Sequence, residues 1–108
     1  MSKHDLLPGT LDMMVLRTLS LGTLHGYAIA QHIQRSSGDA FTLEQGSLYP
    51  ALERLQGSGF VTSKLGKSPT GRRARYYTIT ASGRKKLGQE ISQFDSVMHA
   101  IARVLGRA

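Results

Sequence analysis

The stretch TGRRARYYTIT, residues 70–80, sets Arg72, Arg73 and Arg75 directly before a β-branched and aromatic run. Guanidinium groups crowded in this way neutralise phosphate oxygens, and an arginine can also enter a narrow minor groove. Lys64 and Lys67 lie just upstream. An earlier set, Gln45, Gly46, Ser47 and Tyr49, opens a segment of helical spacing, with Arg54 further along it. Small and polar residues at the N-terminal end of a helix leave its free N–H groups and positive dipole open to phosphates and base edges. Phosphate contacts hold register and base-edge contacts read sequence.

Other chemistry finds little support. His4, His25, His32 and His99 are scattered, with no HxxxH pair and no carboxylate cluster, so no metal site is expected. Nothing resembles a nucleophile elbow, so the chain is not expected to be an enzyme or to need a cofactor. The absence of cysteine from all 108 residues excludes disulfides, thiolate metal sites and thiol nucleophiles. Gly57-Ser58-Gly59 reads as a turn, because its spacing fits neither phosphate-loop pattern.

Fourteen Lys and Arg against seven Asp and Glu give a net charge of +7, which favours a polyanion as partner. The excess is local: no acid falls between Glu53 and Glu90, a stretch that begins with Arg54 and ends with Arg84, Lys85 and Lys86. The opening residues lack the apolar core of a signal peptide, and no apolar run approaches the roughly 20 residues of a membrane span. A cytoplasmic protein at the nucleoid, with no membrane partner, is the expectation.

These side chains need elements to hold them. Residues 9–22 carry Leu11, Met14, Val15 and Leu19 at helical spacing, with Thr10 as N-cap and Asp12 in the first turn. A second helix carries Ile29 and Ile33 and closes at SSGD. After a short extended AFTL, the stripe Leu48, Leu52, Leu55 marks a third helix, capped by Ser47, with Pro50 in its first turn. Strands are expected over residues 60–65 and 75–80, joined by a nine-residue loop in which Gly66 and Gly71 supply unusual backbone angles. Tyr76 and Tyr77 alternate across the second strand, one towards the core and one outward. From Ala81 to about Gly106, Leu87, Ile91, Phe94, Met98, Ile101 and Leu105 recur with gaps of 4, 3, 4, 3 and 4, a heptad seam. About 26 helical residues reach roughly 39 Å, longer than so small a domain can cover, so that seam is expected to pair two copies of the chain.

Three short helices, a basic hairpin and a long helix give an α+β fold, mainly helical. The layout is a winged helix-turn-helix over residues 1–80 followed by a dimerisation helix over 81–108. In it the third helix enters the major groove and the hairpin loop, the wing, touches the flanking backbone.

DLLPGTLDMMVLRTLSLGTLHGYAIAQHI, QGSLYPALERLQGSGFV and RRARYYTITASGRKKL resemble, in that order, the PadR family of bacterial transcriptional regulators. The resemblance covers about Asp5 to Leu87. It implies a homodimeric winged-helix repressor on a near-palindromic operator of double-stranded DNA, relieved by a small hydrophobic or aromatic effector. It further implies that Ser47 and Tyr49 face DNA, that Gly26 and Tyr27 start helix two, and that Tyr76 and Tyr77 pin the wing strand. Relatives usually carry an acidic residue and an aromatic where Lys64 and Leu65 stand, which makes this wing the more basic. Members with drug-binding dimer pores tend to place a tryptophan on the final helix; this chain has none, and Phe94 is the nearest substitute. The competing reading is a winged helix that binds proteins, an anti-activator without specific DNA contact, whose binding would depend little on salt.

Overall fold

The computed structural model describes residues 9–107, so His4 and the opening residues of the family resemblance lie outside the described residues. Helix α1 runs Thr10–Ser20, strand β1 Leu24–His25, α2 Gly26–Ser36, α3 Gln45–Gly57, β2 Val61–Lys67, β3 Arg73–Ile79 and α4 Ala81–Val104. The three strands form one antiparallel sheet in the order β1-β3-β2. The architecture is the α+β winged helix expected, with one strand more than the hairpin alone provides.

The core follows the apolar periodicities. Val15, Leu16 and Leu19 of α1, Ile29 and Ile33 of α2, and Leu48, Leu52 and Leu55 of α3 are buried together with Val61, Tyr77 and Ile79 of the sheet. Burying a side chain of this size contributes about 1.5–3 kcal/mol. Tyr77 is the inward tyrosine of its pair, while Tyr76 is half-buried on the other face and donates its hydroxyl to the Lys67 carbonyl.

Several boundaries differ from expectation. Gly9, at φ +83°, caps α1, and Thr10 is the first helical residue. Glu44 stands at the N-cap of α3 with no side-chain capping bond, which makes Ser47 the third helical residue and Pro50 the sixth. Pro50 therefore lies beyond the first turn, and its missing N–H leaves the Gly46 carbonyl without its helical donor. The strands reach towards each other until only residues 68–72 join them. Gly66 pairs with Ala74 inside the ladder rather than turning the loop, and the Tyr76 ring lies over it. Gly71, at φ +85°, is the loop's left-handed position.

Helix α4 begins at once after β3. Thr80 caps it by accepting from the Gly83 N–H at 3.0 Å, and Thr80 and Ser82 both donate to the Gly59 carbonyl, at 2.7 and 2.9 Å. Leu87 is buried in the domain's own core, so the expected seam loses its first member to intramolecular packing. Phe94 is half-buried. Ile91, Val97, Met98, Ile101, Val104 and Leu105 are exposed, with Val104 86% and Leu105 62% open. Val97 and Val104 widen the apolar face beyond the heptad positions.

Candidate nucleic-acid interface

Cross-strand register sorts the wing cations by face, because residues directly opposite in an antiparallel pair share one side of the sheet. Val61 faces Ile79, Ser63 faces Tyr77, Leu65 faces Arg75 and Lys67 faces Arg73. Val61, Tyr77 and Ile79 are buried, so Arg73, Arg75, Lys67 and Leu65 continue the core-facing side of the sheet out past the core, towards α3. Lys64 pairs with Tyr76 and points to the opposite side, where the Tyr76 ring also meets His25 at 5.3 Å between centroids. Lys64, expected among the DNA-facing cations, is thus separated from them by the strand alternation itself.

The wing tip is built rather than loose. Ser68 donates its N–H to the Arg72 carbonyl at 2.7 Å and accepts at Oγ from the Arg72 N–H at 3.2 Å. Arg72 therefore leaves the tip from a closed five-residue loop. Arg75 donates from Nη1 to Ser63 Oγ at 3.0 Å, and Ser63 passes the chain to Gln56 Oε1 at 3.0 Å. This relay anchors one wing arginine to the C-terminal half of α3.

At the N-terminal end of α3 the Glu44 side chain makes no capping bond, and the Ser47 and Leu48 N–H groups both donate to the Glu44 carbonyl, at 3.0 and 3.1 Å. Gly46 lies in open space, Ser47 is exposed, and Gln45 opens the helix with its backbone, its side chain lying outside the described residues. Tyr49 is 39% exposed and lies across the start of α2: a Cβ on Gly26 would stand 2.8 Å from its hydroxyl and 3.1 Å from its ring carbons. Gly26 is the residue that lets this ring lie down, a packing that the sequence did not announce. Tyr27, 59% exposed, stands beside it.

Between these parts runs a groove of 610 Å³ lined by Tyr27, Gln31 and Tyr49 on the helical side and Arg72, Arg73 and Arg75 on the wing. Burial pushes the Tyr77 phenol above its ordinary pKa, and Tyr49 and Glu53 push the same way against the Arg75 guanidinium. Arg54 does not line the groove. Its Nη2 is 2.8 Å from Asp12 Oδ1, so this expected DNA contact is tied to α1 instead.

A second, apolar cavity of 360 Å³ lies between α1, α2 and α4, lined by Met13, Met14, Ile33, Ile91 and Phe94, with Arg17 and His32 as its basic members. Among the described residues no group of His, Asp and Glu could hold a metal ion, and no helix is long and apolar enough to cross a membrane.

Known proteins share this arrangement. The structure of a transcriptional regulator from Clostridium thermocellum superposes with a TM-score of 0.81 at 27% identity, over 88% of this chain and 92% of that one. A PadR family transcription regulator from Clostridium difficile R20291 superposes at 0.76 and 25% identity, over 90% and 99%. In sequence, the negative transcriptional regulator PadR of Bacillus subtilis is 30% identical over 77 residues, 71% of this chain but 42% of the longer regulator. The model of the transcriptional regulator PadR-like family matches residues 15–89, from the core of α1 to the third turn of α4. By that match the chain belongs to the PadR-like family, a family of transcriptional regulators and not of enzymes.

Proposed function

We propose that this regulator is a sequence-specific DNA-binding repressor that grips a near-palindromic operator as a homodimer at the nucleoid. The observation that carries it is the groove in which Arg72, Arg73 and Arg75 confront Tyr49 of α3 and Tyr27 of α2. The wing cations engage phosphate while the helix end meets base edges. Lys67 joins the wing set; Arg54 and Lys64 are left out of it, one paired to Asp12 and the other on the far face of the sheet.

The exposed face of α4 supports pairing of two chains, which sets two α3 helices about one DNA turn, ~34 Å, apart. The 360 Å³ cavity falls in the size range of small-molecule sites. A small hydrophobic or aromatic effector seated there would touch Ile91 and Phe94, two residues of the pairing face, and so alter the spacing of the helices. The operator readings stand or fall on selection from a random duplex pool at near-physiological salt: enrichment of an inverted repeat with half-sites about ten base pairs apart supports them. Retention without any enriched sequence contradicts them.

Two variant sets divide the labour. Arg72→Ala with Arg73→Ala should weaken binding to every sequence and reduce the log–log salt slope by about 2, near 0.9 for each phosphate no longer neutralised. Tyr49→Ala and Gln45→Ala should weaken the selected site and spare random DNA. Gly26→Ala should reproduce the Tyr49 effect without touching Tyr49, because the new Cβ drives the ring from its place. Cognate affinity should fall about five-fold or more, the scale of one mismatched base pair, while thermal stability holds. Parallel losses on cognate and random duplex, read by anisotropy titration, would refute this assignment.

A further inference from the structure

The open face of α3 carries a carboxylate where a DNA-binding surface would be expected to carry a cation. Leu48, Leu52 and Leu55 turn inward, and Tyr49 and Glu53, four residues apart, share the exposed side. Glu53 is exposed, and no cation lies within ion-pair range of it among the described residues. The neighbouring cations are engaged elsewhere, Arg54 with Asp12 at 2.8 Å and Arg75 with Ser63 at 3.0 Å. The described side chains of α3 therefore offer DNA no unpaired cation, and Glu53 stands unbalanced in the middle of the helix.

Such a group weakens binding to any duplex, because it faces phosphates with like charge and has no proton to donate. One base edge reverses that cost. In the major groove the N4 amino group of cytosine projects a donor, and a carboxylate is the side chain that accepts from it, whereas the O6 and N7 acceptors of guanine repel it. We propose that Glu53 is a specificity-determining residue, whose carboxylate accepts a hydrogen bond from a cytosine amino group in each operator half-site and penalises sites without one. The proposal rests on the DNA-binding reading above. On this account the wing supplies the general affinity and α3 subtracts from it wherever the sequence is wrong, a division that enlarges the ratio between operator and random DNA.

The test is the random-pool selection repeated on the full chain with wild type, Glu53→Gln and Glu53→Ala, followed by titration of each on the selected and on a random duplex. Wild type should enrich a cytosine at one position of each half-site. Glu53→Ala should lose that preference, with discrimination at the position falling about 5- to 150-fold, and should bind random duplex more tightly. Glu53→Gln, able to pair with adenine, should shift the position from cytosine towards adenine. Matching thermal transitions show that all three chains are folded. Variants that enrich the same cytosine with undiminished discrimination overturn the proposal, even where their random-DNA affinity rises. A wild type that enriches no sequence overturns instead the DNA-binding reading beneath it.

Discussion

Gly83→Ala should lower the unfolding midpoint by roughly 5–15 °C, the largest effect expected of a methyl added at any of the described glycines. An ideal Cβ at residue 83 would stand 2.0 Å from the Phe60 carbonyl oxygen and 2.8 Å from Ile79 Cγ1. Elsewhere such a clash falls on a flexible side-chain end; here it falls on backbone. The Phe60 oxygen also accepts from the Thr80 N–H at 3.0 Å, so it cannot retreat without breaking the bond that closes the sheet onto α4. Overpacking of this kind costs about 1–3 kcal/mol and sometimes more. Alanine's better helix propensity returns at most about 1 kcal/mol. Thermal melts at equal chain concentration measure the difference, and an unchanged midpoint would mean that the first turn of α4 is not held against Phe60.

Met98→Glu with Ile101→Glu should yield monomers, with operator affinity reduced about 10²- to 10⁴-fold, the scale of the effective concentration that a tethered second site provides. These positions suit the purpose because both are exposed, 36% and 45%, and neither belongs to the buried core of the domain. Phe94, the other central member of the seam, is half-buried and lines the apolar cavity together with Met13 and Met14. A charge there would damage the domain and confound the result. Multi-angle light scattering reads the oligomeric state and anisotropy the affinity on whole-operator and half-site duplexes. The two affinities should converge in the variant. A doubly charged chain that remains dimeric would remove α4 from the interface.

The helices were legible in the sequence because their apolar residues repeat with the helical period, as Leu48, Leu52 and Leu55 show, and the stripes of α2 and α3 are buried as expected. The two-residue strand β1 was not, since Leu24 and His25 are too few to alternate and their partners, Tyr77 and Tyr76, lie more than fifty residues away. The start of α3 shifted because the helix has no side-chain cap to mark it, and Ser47 offered the nearest residue of capping type. Arg54 looked free for the same reason that β1 was missed: its partner, Asp12, sits 42 residues upstream. Which face each wing cation takes depended on register, and register depended on the ladder running on through Gly66 to Lys67. The basic wing itself was legible from composition; the acid on the open face of α3 acquires meaning only once its neighbours are seen to be occupied.

The junction at Thr80, where strand passes to helix in one residue, makes α4 an arm bolted to the body that carries the proposed DNA-reading surface. Twenty-four residues of helix give that arm a length of about 36 Å, so a swing of ~5° sweeps its end through about 3 Å. With two arms crossed at a common bearing, the same small rotation would carry the paired surfaces through about 6 Å relative to each other, nearly two base-pair steps. A joint with slack would absorb such a motion. In the dimer proposed above, the bolted arm would convert it, undiminished, into a mismatch of register along the duplex.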